Sequence, residues 1–139
     1  MELVRAARNG DLLEVQRLIQ NGNTSQNWID QALDYASSSG HLLIVEYLTD
    51  HGADIHSRND QAFISAVYSG YLSIVEYLLT HGANINVLSS KNQTKYSHLV
   101  PKIISLLEYY RIQELLLKVS EYQDRHILRV KNKSYLLMK

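Results

Sequence analysis

Three segments of this 139-residue chain repeat at one spacing. Gly10-Asp11-Leu12-Leu13-Glu14-Val15 is followed by Gly40-His41-Leu42-Leu43-Ile44-Val45-Glu46-Tyr47-Leu48, then by Gly70-Tyr71-Leu72-Ser73-Ile74-Val75-Glu76-Tyr77-Leu78, with the glycines 30 residues apart both times. A second signature keeps step, His51-Gly52-Ala53-Asp54-Ile55 against His81-Gly82-Ala83-Asn84-Ile85. A period of this length marks a supersecondary unit that is too small to bury its own apolar face and is stable only when stacked on neighbours. Such stacks present extended surfaces to partners and rarely form catalytic pockets.

Within each unit the apolar spacing is helical and comes in two pieces. In the third unit Phe63, Ala66 and Val67 form one stripe, and Leu72, Val75, Leu78 and Leu79 form a second. Gly70 separates the two, and Gly82 ends the second where a left-handed residue is cheap. Asp60 precedes the first stripe and is a candidate N-cap, as Asp30 is in the second unit. That unit continues with Leu33 and Ala36, then Leu42, Val45 and Leu48; the first unit offers Leu3, Ala6 and Ala7, then Leu12, Val15, Leu18 and Ile19. The spacing predicts helices near 2–8, 12–20, 31–38, 42–50, 61–68 and 72–80, with little or no strand.

Gly40-His41-Leu42-Leu43-Ile44-Val45 and Gly82-Ala83-Asn84-Ile85-Asn86 resemble the ankyrin repeat family almost letter for letter. The resemblance covers residues 1–90, with units at about 1–22, 23–52 and 53–82 and the start of a fourth. It implies an all-α helix–turn–helix solenoid that binds a protein partner through its concave face, without enzymatic activity or cofactor. The family repeat is near 33 residues, with Thr-Pro-Leu-His opening its first helix after a β-hairpin. Here Ala53 to Ala66 is three residues shorter and Gln61-Ala62-Phe63-Ile64 replaces that tetrapeptide, so the hairpin is expected to shrink to a tight loop. Short repeats of this kind, rich in Tyr, Ile and Asn, look most like ankyrin proteins of mimivirus-like giant DNA viruses.

Residues 91–139 depart from the pattern and are expected to form a degenerate fourth unit and helical cap of the same domain. Ile103, Ile104, Leu106 and Leu107 follow Pro101, which suits a first helical turn. Val100 stands where the next glycine would fall, and Arg111 replaces the helix-ending glycine. Ile112, Leu115, Leu116 and Val119 suggest another amphipathic helix, before Ile127, Leu128, Val130 and the closing Tyr135-Leu136-Leu137-Met138. Leu99, Pro101, Ile103, Ile104, Leu107 and Leu115 also faintly resemble an F-box, which would make the chain a ubiquitin-ligase adaptor.

The chain has no cysteine, which excludes disulfides, zinc–thiolate sites and thiol catalysis. Charged residues open the sequence and no apolar run approaches a membrane span, so an intracellular chain, cytoplasmic or nuclear, is expected. Net charge is zero but unevenly spread. Residues 1–90 carry four basic and ten acidic side chains, a balance of −6, and residues 91–139 carry ten and four, a balance of +6. Opposed halves leave self-association open, whereas no groove-reading motif supports nucleic acid.

Candidate chemistry is sparse. His51, Asp54 and His56 have close spacing for a metal, but His81 repeats His51 before the next glycine, which points to helix C-capping. Ser37-Ser38-Ser39 with Asp34 and His41 lacks any oxyanion-forming glycine motif, and no phosphate loop occurs. What remains is surface. By register, Arg5 and Arg8, Tyr35 and Ser38, and Ser65 and Tyr68 lie off the apolar stripes of the first helices. Trp28 and Arg58 fall at equivalent positions of successive loops, and arginine, tyrosine and tryptophan are the residues favoured at binding hot spots. Trp28 is either a partner anchor or folded back as packing.

Overall fold

A glycine in the left-handed region stops the first helix of every unit, and the amide after it closes the end. Gly10, Gly40 and Gly70 have φ of 81°, 83° and 81°. Asp11, His41 and Tyr71 then donate their N–H groups to the carbonyls of Ala6, Ala36 and Ala66, at 3.0, 3.0 and 3.1 Å, a Schellman closure made three times in one register. The second helices end alike, with Ala53 and Ala83 donating to Leu48 and Leu78 at 2.9 Å.

The computed structural model describes residues 1–88 and 101–137, with side chains in the latter stretch placed over 105–123. The helices are α1 (Glu2–Asn9), α2 (Leu12–Gln20), α3 (Gln26–Ser39), α4 (Leu42–Asp50), α5 (Ser57–Ser69), α6 (Leu72–Thr80) and α7 (Pro101–Leu137), with one 3-10 turn at Ile85–Val87. No strand occurs among the described residues, and six residues suffice to join α4 to α5, so the tight loop expected in place of a hairpin is what forms. Two compact units result, Met1–Leu106 and Leu107–Lys139.

The core follows the period. Val15, Val45 and Val75 are each 0% exposed, and Leu3, Leu33 and Phe63 fill the matching place on the first helices at 4%, 1% and 0%. Burying one such side chain contributes about 1.5–3 kcal/mol, so the repeated positions dominate the stability of the array. Alanines at 6, 7, 32, 36, 62 and 66 are all buried, and these small side chains let α1, α3 and α5 pack side by side. Ile44 and Ile74 are buried as well, a pair the stripe reading left out, while Leu12, Leu18, Ile19, Leu42 and Leu72 are only half-buried.

Four expectations need correction. α3 begins at Gln26, five residues ahead of the predicted start, because Ile29 extends the Ala32–Leu33–Ala36 stripe by one turn. Asp30 therefore lies inside that helix and caps nothing. Its Oδ1 accepts from Gln26 Nε2 at 2.7 Å and from the Asp54 N–H at 2.9 Å, tying one unit to the next loop. Asp60 does the same thirty residues on, accepting from His56 Nδ1 at 2.9 Å and the Asn84 N–H at 3.1 Å, and it is buried at 4%. Arg58, Asn59 and Asp60 form a left-handed turn with φ of 53°, 59° and 58° before the right-handed part of α5 begins. Lastly, the separate helices expected within 101–137 are one helix of 37 residues, because no glycine or proline follows Pro101 to interrupt it. Pro101 does open it. Leu99, Val100 and Met138 lie outside the described residues.

Candidate interaction surface

Register places Arg5 and Arg8 one turn apart on α1, and both are exposed. α1 packs beside α3, and this neighbourhood sets the Arg8 guanidinium over the Tyr35 ring, 4.2 Å from its centroid. A cation above an aromatic face is stabilised by the ring quadrupole, by about 0.5–1 kcal/mol at exposed sites. Of the residues singled out by sequence, these two are brought together most clearly. Ser38, on the next turn of α3, donates to the Tyr35 carbonyl at 3.0 Å. On α5, Ser65 donates to Asp34 Oδ1 at 2.5 Å and accepts from Gln61 Nε2 at 3.2 Å, so its hydroxyl joins α5 to α3. Tyr68 is half-buried on the same helix.

Trp28 and Arg58 share a register position but not a conformation. Trp28 sits in the first turn of α3, not in a loop, and Arg58 is exposed in the left-handed turn. The indole is half-buried and borders a cavity of about 450 Å³ shared with Leu3, Arg17 and Leu18. The ring thus lies at the edge of an opening.

Several residues tie this surface down. His41 Nε2 donates to the Arg8 carbonyl at 2.9 Å, and its ring lies where a side chain on Gly10 would have to go, 2.6 Å from an added Cβ. Tyr71 covers Gly40 in the same manner. Sequence alone showed the Gly-His pair but not its target. It grouped Asp34 with the nearby serines and His41 and not with Ser65, because the Asp34–Ser65 link spans 31 residues and so falls one step out of the 30-residue register. Arg17 grips Glu14 through Nε and Nη2 at 2.8 and 2.6 Å; this hydrogen-bonded guanidinium lowers the Glu14 carboxyl below its ordinary range, and the carboxylate raises Arg17 in turn.

The groups weighed for catalysis or metal are committed elsewhere. His51 Nδ1 donates to the Tyr47 carbonyl at 2.8 Å and His81 Nδ1 to that of Tyr77 at 2.7 Å, each ring stacked on the same tyrosine, so both histidines cap helices. His56 turns to Asp60, and Asp54 accepts the His56 N–H. His41, Asp34 and Ser38 point to three different partners, and the Ser37 hydroxyl is buried. Among the described residues, no group of three His, Cys, Asp or Glu side chains could hold a metal ion, and no helix is long and apolar enough to cross a membrane.

A stack of helix pairs closed by glycines, with His41, Asp30 and Asp60 tying one unit to the next, defines a helical repeat protein. A family model for ankyrin repeats, in three copies, matches residues 3–89, and the chain belongs to that family. No curated protein matches it. Ankyrin repeats serve in general as protein–protein interaction modules.

Proposed function

We propose that this chain is a non-enzymatic recognition module that binds a protein partner through the concave face of its first helices. The observation that carries the reading is the Arg8–Tyr35 stack, which joins two hot-spot residue types across neighbouring units. Arg5, Ser38, Ser65 and Tyr68 extend the face, with Trp28 and Arg58 at its loop side. An intracellular setting, cytoplasmic or nuclear, accompanies this reading, and the giant-virus style of the repeats remains part of it. Joint replacement of Arg8, Tyr35 and Tyr68 by alanine is expected to abolish partner capture while leaving the helical circular dichroism signal intact. Capture that survives the triple replacement refutes the concave face as the binding surface.

A second reading attaches to α7. Ile112, Leu115, Leu116 and Val119 are more than half exposed there, an apolar row suited to a second contact. In the adaptor version, substitution of Pro101 or Leu107 releases a ligase scaffold and leaves target capture unchanged. If opposed charges drive self-association instead, oligomers dissolve between about 50 and 500 mM salt, because exposed charges are screened within a Debye length.

A further inference from the structure

Two of the four arginines in residues 1–90 are set apart from the others. Arg17 is occupied by Glu14, and Arg58 stands in the left-handed turn. Arg5 and Arg8 make no ion pair with any described residue, and they border one open cavity of about 360 Å³ together with Met1, Glu2 and Val4. Arg8 is held at both ends: its carbonyl accepts from His41, and its guanidinium lies on Tyr35. Stacking engages the flat face of a guanidinium and leaves its N–H edge available, and that edge matches a carboxylate in bidentate fashion. Holding the side chain in place beforehand also lowers the ordering cost of binding.

We propose that Arg8, with Arg5 beside it, grips a carboxylate in an acidic peptide segment of the protein partner. The proposal rests on the concave-face reading and names the chemistry of its partner. Charge complementarity selects the occupant. The array as a whole is acidic, at −6 over residues 1–90, and Glu2 lines the same cavity. A nucleic-acid strand would meet that repulsion along its whole length, whereas a single carboxylate meets both arginines with Glu2 as the one acidic side chain lining the cavity. Tyr35 beside them offers apolar area for the residue next to the carboxylate.

The test is selection of a displayed random heptapeptide library on the full chain, followed by anisotropy titration of the labelled winners. The winners are expected to share an Asp or Glu at a fixed position. Its change to Asn or Gln, or Arg8→Ala in the protein, should weaken binding about tenfold to a hundredfold, the scale of one charge-assisted pair. Arg8→Lys should lose most of the same affinity, because an ammonium lacks the planar fork. Tyr35→Phe should keep the affinity and Tyr35→Leu should reduce it, while Glu76→Ala on the exposed side of α6, as control, changes nothing. Winners without an acidic position, indifferent to Arg8→Ala yet lost with Tyr68→Ala, overturn the carboxylate grip and leave the concave face standing. Winners indifferent to Arg8, Tyr35 and Tyr68 alike remove the face as well. A short single-stranded oligonucleotide that binds more tightly than every winner, or a library that yields none, also overturns the proposal.

Discussion

Residues 1–88 and residues 101–137 are both built of helix, yet they use it in opposite ways. The first stretch cuts its helices to between 8 and 14 residues and turns their apolar sides on one another, leaving Val15, Val45 and Val75 wholly buried. The second runs on for 37 residues and leaves Ile112, Leu115, Leu116 and Val119 between 54% and 57% exposed. Apolar content does not separate the two, because both are rich in leucine and isoleucine. Punctuation does. Gly10, Gly40 and Gly70 stop a helix and send the chain back, and after Pro101 no glycine or proline occurs. A helix that never turns has no second helix of its own to pack on.

The sharpest way to break this comparison is truncation of leucine on each side. Leu48→Ala and Leu78→Ala, both at 0% exposure, are expected to cost roughly 2–5 kcal/mol in urea unfolding. Leu116→Ala on α7, and Glu76→Ala on the exposed side of α6, should stay within about 0.5 kcal/mol. An α7 leucine as costly as Leu48 would show that α7 buries that face.

Glycine replacement gives the next largest effect and separates conformation from contact. At Gly52 an added Cβ meets open space, so Gly52→Ala carries only the left-handed backbone cost of roughly 1–2 kcal/mol. At Gly40 the same Cβ would also meet the Tyr71 ring, and the rigid ring has to move. Thermal unfolding of the two variants should therefore rank Gly40→Ala as the more damaging. Equal losses would mean that Tyr71 yields freely.

A smaller effect distinguishes one junction of the array from the next. Tyr77 and Thr49 place their hydroxyls 2.6 Å apart, and Thr49 already donates to the Val45 and Glu46 carbonyls, so Tyr77 is the donor. Thirty residues earlier Tyr47 holds the same register position, but Ile19 stands where Thr49 would be, and the buried Tyr47 hydroxyl has no hydrogen-bond partner among the described residues. Tyr77→Phe is expected to cost about 0.5–1.5 kcal/mol, while Tyr47→Phe is neutral or stabilising. The reverse order would refute the assignment of partners.

The smallest expected effect is a pH dependence. The Arg17 guanidinium holds the Glu14 carboxyl below its ordinary range, so the pair stabilises the fold above that range and fades as pH falls through the lowered value. Urea midpoints of the protein and of Glu14→Gln should differ slightly at neutral pH and converge in acid. Divergence in acid contradicts the sign.

Much of this was legible in the sequence, because the 30-residue register carries both the helix stops and the core. The helices at 12–20, 42–50 and 72–80 fall where the spacing puts them. What register could not supply was the target of a polar side chain. Asp30 and Asp60 resemble N-caps by local spacing, and they instead bind the following loop, 24 residues ahead in each case. Asp34, which the sequence groups with His41 and the nearby serines, instead accepts from Ser65, 31 residues ahead. The apolar clusters of α7 suggest separate helices, and only the lack of a breaker between them marks it as unbroken. On the candidate surface the residue types were legible in advance, but the pairing of Arg8 with Tyr35 required the packing of α1 beside α3.

The central claim is that the array, through its first helices, does the recognising. The direct measurement is partner capture by two matched variants, one with Arg8, Tyr35 and Tyr68 replaced by alanine and one with Ile112, Leu116 and Val119 replaced by serine. Capture lost by the first and kept by the second is the expected result. Capture kept by the first and lost by the second would contradict the claim and move recognition to α7.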